Sequence, residues 1–205
     1  MSKRLGLMGG TFNPVHNGHL YIAGLAQREL GLDEVRFIPT GDSPHKRVDM
    51  PGTHRLSMVE LAIEGRAGFT VSDMEMKRAG RSYTCDTLRE IQEREPDAEL
   101  YFILGGDMFC DITTWRRPDE IARRAVLAVV HRPGDQVGRL EQTCSRLKRD
   151  YGARVRLLSG SGPEISSTQI RRLIGAGQDA DALLPPPVAR YIREKRLYLK
   201  QESGI

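Results

Sequence analysis

Gly9-Gly10-Thr11-Phe12-Asn13-Pro14-Val15-His16-Asn17-Gly18-His19-Leu20 joins a short apolar run, Leu5-Gly6-Leu7-Met8, to a helix-like stretch over residues 18–30. A strand, a glycine turn and a helix start, in that order, make an anion site. The first N–H groups of a helix lack partners within it, and the helix dipole favours negative charge there. Glycines at 9 and 10 let a phosphate approach the main chain where a Cβ would obstruct it. His16 and His19, three apart, can fall on one side of a helix entry and donate hydrogen bonds to phosphate oxygens. Gly9, Gly10, Thr11, Phe12, His16 and His19 therefore read as the seat of a nucleotide's phosphates. Metal ligation by the pair is disfavoured, because no further ligand stands at the usual spacing and His-Glu-x-x-His is absent. Capping or surface roles, common for an isolated histidine pair, fit the glycine turn less well.

Around this stretch, strand-like and helix-like segments alternate. Strands are expected at 5–8, 35–39, 69–72, 100–104, 125–130 and 155–158, with 74–77 as a β extension of the third. Helices are expected at 18–30, 53–63, 84–94 (Thr84 as N-cap), 118–124, 137–151, 165–174 and 188–195. Short buried strands alternating with helices argue for an α/β fold, a Rossmann-like, doubly wound parallel sheet with helices on both faces and a C-terminal helical segment. Ligands bind such sheets beyond the carboxyl ends of the strands, at the switch point. The polar stretches 9–19, 40–46, 105–107 and 131–134 would all lie on that edge, which argues for one nucleotide site.

A chain of 205 residues fits one domain, residues 1–205, with a real core, and its 39% apolar and 28% charged residues suit a soluble globular protein. A net charge of +4 suits anionic small molecules. Without a run of five like charges or an aromatic-and-basic platform, nucleic acid is not expected as a partner. Cys85, Cys110 and Cys144 are odd in number, far apart and lack a Cys-x-x-Cys pair, which points to free thiols in a reducing compartment. The apolar run behind Lys3 and Arg4 is too short for a signal peptide, and no stretch approaches a membrane span. A cytoplasmic protein with no membrane partner is expected; a homo-oligomer is left open.

Ile165-Ser166-Ser167-Thr168-Gln169-Ile170-Arg171 places hydroxyls at a helix N-terminus with Arg171 one turn in. It reads as a second anion cradle, or as a Ser166 N-cap with Arg171 on a solvated face. Lys46, in Ser43-Pro44-His45-Lys46, taken alone is an ordinary loop lysine. Trp115 is either core or a loop side chain able to stack on a planar ring. Asp107, after Gly105-Gly106, can cap a helix or bind a ribose hydroxyl.

Five segments occur in the order found in bacterial nicotinate-mononucleotide adenylyltransferases, and the chain resembles that family. They are 9–19, Pro44-His45-Lys46, Ser82-Tyr83-Thr84-Cys85-Asp86-Thr87-Leu88, Gly105-Gly106-Asp107 with Trp115, and 165–171. The first and last are shared by the wider nucleotidyltransferase superfamily marked by His-x-Gly-His; the third and the tryptophan narrow the match. The resemblance implies transfer of the adenylyl group of ATP to nicotinate mononucleotide, giving nicotinate adenine dinucleotide and pyrophosphate in NAD biosynthesis. The acceptor phosphate attacks the α-phosphorus directly, with no covalent enzyme intermediate, and Mg²⁺ rides with the ATP phosphates. It further implies that His16, His19, Lys46 and Arg171 carry the catalysis. Ile165, Ser166, Ser167, Thr168 and Arg171 hold the leaving phosphates, and Gly105 and Asp107 the ribose and adenine. Asn13, Lys46, Tyr83, Thr84, Trp115, Arg116 and Arg132 serve the acceptor. Trp115 stacks on its pyridine, and main-chain N–H groups near Thr84 and Arg116 receive its carboxylate, selecting acid over amide. Two positions depart from the family pattern: Asn13 stands where Asp is commoner, and Arg116 where an aromatic residue is common. Alternative readings are an adenylyltransferase for nicotinamide mononucleotide or phosphopantetheine, and a non-catalytic nucleotide-binding module.

Overall fold

Ala125–Val130 is buried at every residue, as a strand covered on both faces must be. In the computed structural model of the chain, which describes residues 2–42, 49–131, 137–160 and 162–199, it is the fifth of six strands. These are β1 (Arg4–Gly10), β2 (Glu34–Pro39), β3 (Phe69–Val71), β4 (Glu99–Gly105), β5 (Ala125–Val130) and β6 (Val155–Leu157). They form one sheet in the order β3-β2-β1-β4-β5-β6, and every pairing is parallel. The helices are α1 (Asn17–Leu30), α2 (Gly52–Ile63), α3 (Met74–Lys77), α4 (Thr84–Arg94), α5 (Gly106–Asp111), α6 (Pro118–Arg124), α7 (Val137–Tyr151), α8 (Ser167–Gly175) and α9 (Pro186–Glu194).

Strand periodicity sorts the core into two layers. Tyr101 and Ile103 of β4, with Val126, Ala128 and Val130 of β5, face a cluster built from α1, α2, α8 and α9. Leu100, Phe102 and Leu104, with Leu127 and Val129, face a second cluster that includes Leu88, Ile91, Phe109, Ile121 and Leu147. Each fully buried Val, Leu, Ile or Phe side chain among them contributes about 1.5–3 kcal/mol. The chain turns from β1 to β2 on one side and from β4 to β5 on the other, so the switch point lies between β1 and β4.

The α/β class and the order of strands and helices are as the sequence implies. Residues 74–77 are a correction: they form the helical turn α3, not a β extension. Asp73's carbonyl accepts from both Met76 and Lys77, and Lys77 pairs with Asp73 at 2.9 Å, so the local helical bonds prevail once β3 has run out of sheet partner. A second correction is the cap of α4. Tyr83, extended at φ −116° and ψ 137°, is the N-cap, and Thr84 is already helical. α5 starts directly after β4, with Gly105 rather than Asp107 as its N-cap.

At the amino end of the sheet, Lys3 bridges Glu34 (2.7 Å) and Glu95 (2.9 Å), and Arg36 reaches the same two carboxylates at 2.8 and 2.7 Å. Burial alone would raise the Glu34 carboxyl. The hydrogen bonds from Arg36, Lys3 and Thr70 outweigh it and hold that carboxyl at about 2.

Candidate active site

β1 ends at Gly10, whose carbonyl accepts from Thr40 N–H at 2.8 Å. The Phe12 ring fills the space beside Gly10; a Cβ there would stand 3.2 Å from it. Phe12 itself is buried and has φ +47°, in the left-handed region that side chains rarely adopt. Its ring stands edge-on to His19 at 5.0 Å and tilted against Phe37 at 5.8 Å. The turn thus trades backbone strain for ring packing beneath the histidines.

His16 is the N-cap of α1, in extended conformation, and its N–H donates to His19 Nδ1 at 3.2 Å. The two rings stack 3.7 Å apart. A neutral imidazole that accepts at Nδ1 carries its proton at Nε2, so His19 is set as an Nε2–H donor. His16 is only 2% exposed. A Cβ at Gly18 would lie 3.0 Å from His16 Nδ1, so the glycine between the histidines is what lets the ring pack.

The loop from Thr11 to Pro14 is clasped from other elements. Arg55 of α2 donates to the Thr11 carbonyl at 2.9 Å, Arg171 of α8 to the Asn13 carbonyl at 2.7 Å, and Ser167 Oγ to the Pro14 carbonyl at 2.9 Å. Tyr198 Oη donates to Asn13 Oδ1 at 2.7 Å. Ser166 is the N-cap of α8, accepting from Gln169 N–H at 3.2 Å, while Arg171 is half-buried rather than solvated and also reaches Thr168 Oγ1 at 3.3 Å. The N-termini of α1 and α8 therefore meet at one loop; the Cβ position of Gly18 is 3.5 Å from Ile165.

On the other side of the switch point, Gly105 is the N-cap of α5, and Asp107 accepts from Met108 N–H at 2.8 Å in its first turn. A Cβ at Gly105 would be 2.9 Å from Asp107 Oδ1. Trp115 is half-buried, packed on the second core cluster and edge-on to Phe102 at 6.2 Å. Arg116 lies 4.5 Å above the Tyr83 ring and 3.9 Å from Asp86, which joins the Trp115 turn to the start of α4. Beneath that start, buried Glu75 accepts from Thr87 Oγ1 at 2.7 Å, and Arg78 donates to the same hydroxyl at 3.0 Å. Burial pushes the Glu75 carboxyl above the usual range, against the pull of Thr87 and Arg78.

Of the residues singled out from the sequence, Gly9, Gly10, Thr11, Phe12, Asn13, His16, His19, Ile165, Ser166, Ser167, Thr168 and Arg171 come together on the β1 side. Tyr83, Thr84, Trp115 and Arg116 gather near one another, and Gly105 and Asp107 stand at the end of β4. Lys46 and Arg132 lie outside the described residues. Sequence reading missed Arg55, Tyr198 and Glu75. Arg55 left a trace, a charge three and four residues before Met58 and Val59 on the buried face of α2. Tyr198 left none, being 185 positions from its partner. Among the described residues no group of three or more His, Cys, Asp or Glu side chains is placed to hold a metal ion, and no helix is long and apolar enough to cross a membrane.

A parallel sheet with a histidine-flanked helix entry at its switch point defines a nucleotide-binding α/β protein. The cytidylyltransferase-like family model matches residues 7–173. A probable nicotinate-nucleotide adenylyltransferase of Pelobacter propionicus is 43% identical over 95% of this chain and 98% of its own length. One from Neisseria meningitidis serogroup B is 42% identical over 97% and 100%. The chain belongs to the nicotinate-nucleotide adenylyltransferase family of nucleotidyltransferases. Its fold is that of the Plasmodium falciparum nicotinic acid mononucleotide adenylyltransferase complexed with NaAD, with a TM-score of 0.79 at 19% identity over 96% and 97% of the two chains.

Proposed function

We propose that this chain, acting as a single domain, transfers the adenylyl group of ATP to nicotinate mononucleotide, yielding nicotinate adenine dinucleotide and pyrophosphate for NAD synthesis. The observation that carries the reading is the meeting of the α1 and α8 N-termini on one clasped loop, through Ser167 to Pro14 and Arg171 to Asn13. Membership of a family whose curated relatives carry that activity in their names supports it.

A phosphate oxygen of the acceptor attacks the α-phosphorus of ATP. The bond from that phosphorus to the β-phosphate bridging oxygen breaks, and pyrophosphate leaves. Such a step needs alignment and neutralisation of spreading charge rather than a protein nucleophile. His19 Nε2–H donates to the α-phosphate, and His16 fixes the histidine pair against the loop. Ser166, Ser167, Thr168 and Arg171 take the departing phosphates, with Lys46 a further cation. Gly9, Gly10, Thr11, Phe12 and Ile165 shape the ATP cleft, and Gly105 and Asp107 take the ribose and adenine. Trp115 stacks on the pyridine. The N–H groups at Thr84 and Arg116 receive its carboxylate, with Tyr83, Asn13 and Arg132 completing the acceptor side. The donors around the loop are cationic or neutral, which suits phosphates. Mg²⁺ accordingly enters with ATP as part of the substrate. Free Cys85, Cys110 and Cys144 support a reducing, cytoplasmic setting.

The test is product analysis. Purified protein with ATP, Mg²⁺ and nicotinate mononucleotide is expected to form nicotinate adenine dinucleotide and pyrophosphate in equal amounts. ATP consumption without the dinucleotide would refute the reading.

A further inference from the structure

Arg55 and Tyr198 lie outside all the segments that carry the family resemblance, yet both grip the turn between β1 and α1. Arg55 is 3% exposed, and no carboxylate pairs with it among the described residues. Its Nη1 donates to the Thr11 carbonyl at 2.9 Å and its Nε to the Met50 carbonyl at 3.3 Å. Burying an arginine is costly unless its donors find partners, and here two main-chain carbonyls accept from it. Tyr198, itself at φ +66°, turns back from the C-terminal segment so that its phenol meets Asn13 Oδ1 at 2.7 Å. Burial holds that phenol protonated well above the ordinary tyrosine range, so it remains a donor. The two grips are linked through the fold: His54, next to Arg55 on α2, bonds Tyr191 of α9 at 2.8 Å, a few residues before Tyr198.

We propose that Tyr198 and Arg55 are positioning residues that hold the Thr11–Asn13 turn, with Phe12 in its left-handed conformation, in the shape that receives the phosphates of ATP. Tyr198 acts through the Asn13 side chain and Arg55 through the Thr11 carbonyl. A left-handed Phe12 is strained and persists only where the surroundings over-determine it. Arg55 grips the residue before Phe12, and Tyr198 and Arg171 the residue after it. The Asn13 amide oxygen accepts the phenol's hydrogen bond, so the turn is braced without adding negative charge beside the phosphates.

The inference rests on the phosphate reading of the loop, and its test is a double-mutant cycle read on MgATP binding by calorimetry, before any acceptor is added. Tyr198→Phe removes one hydrogen bond and should weaken MgATP binding roughly fivefold. The same change in an Asn13→Asp background, where a carboxylate still accepts the bond, should cost a similar factor. In an Asn13→Ala background it should cost less than about twofold, because the partner is already gone. An unchanged Kd for Tyr198→Phe, or an equal loss in the Asn13→Ala background, would overturn the proposal. A purely structural role would instead lower the melting temperature in every background alike. Wild-type protein that binds MgATP with the expected coupling but makes no nicotinate adenine dinucleotide would refute the proposed reaction and leave the positioning role standing.

Discussion

On the β1 side of the sheet's carboxyl edge, the turn from Thr11 to Pro14 gives three carbonyls and one side chain to donors on α2, α8 and the C-terminal segment. On the β4 side, Arg116 rests on Tyr83, its side chain 55% exposed, and its nearest carboxylate stands 3.9 Å away. The first region is held by buried Arg55 and by half-buried Ser167, Arg171 and Tyr198, each through a direct hydrogen bond; the second is joined across its surface by contacts each worth about 1 kcal/mol or less. The difference matches the work proposed for each. A transition state demands fixed donors, because reorganising them during the reaction raises the barrier. Recognition of a flat ring needs a platform and can tolerate looser joints.

The largest expected effect lies on the braced side. His19→Ala should lower kcat by about 10²–10³-fold, as loss of one charge-stabilising donor does. Its melting temperature should move by only a few degrees, about 2–4 °C per kcal/mol at this size. Steady-state kinetics beside thermal melts would check both; near wild-type turnover would break the contrast between the two regions. On the looser side, Trp115→Leu should raise KM for nicotinate mononucleotide about tenfold, the upper range for one aromatic contact, and leave KM for ATP nearly unchanged. A matching rise for ATP would show that the two regions are not separable.

The amino end of the sheet serves as a control. The Glu34 carboxyl, held at about 2 when folded against 4.5 ordinarily, contributes stability that is present above pH 4.5. That stability is lost as pH falls toward 2. Glu34→Gln should therefore lower stability at pH 7, flatten its acid dependence between those values in denaturant titrations, and leave kcat at neutral pH unchanged. The smallest effect is expected at Arg116→Ala: a stability change within about 0.5 kcal/mol and less than about a threefold change in KM for the acid, because its N–H rather than its guanidinium is proposed to meet the carboxylate. A larger loss would assign the charge itself to recognition and sharpen the account of the looser side.

The parts legible in the sequence were those written locally. Periodicity and caps located the strands and most helices because each is decided within a few residues: Gly31 in the left-handed region ends α1, and Pro118 starts α6. The Ser166 cap was readable for the same reason, whereas His16 caps α1 with His19, a role the sequence reading set aside. What escaped was decided at a distance. Whether Arg171 is solvated depends on a carbonyl 158 positions away, and Tyr198 has no local pattern marking it as a donor to Asn13. Residues 74–77 were misread because an apolar alternation too short to fix a period was settled by Asp73 and its helical bonds. Gly105 shows both sides of this. Its place after a strand was plain, but the immediate start of α5 and the turn of Asp107 Oδ1 toward it were not.

The most direct measurement is pyrophosphate release from ATP and Mg²⁺, run in parallel with nicotinate mononucleotide and nicotinamide mononucleotide across a concentration series. The expected result is release with the acid at a kcat/KM at least tenfold above that with the amide, since an amide places its NH₂ against the N–H groups at Thr84 and Arg116. Equal use of both would contradict the recognition proposed for the β4 side, and no release with either, while MgATP still binds, would contradict the reaction itself.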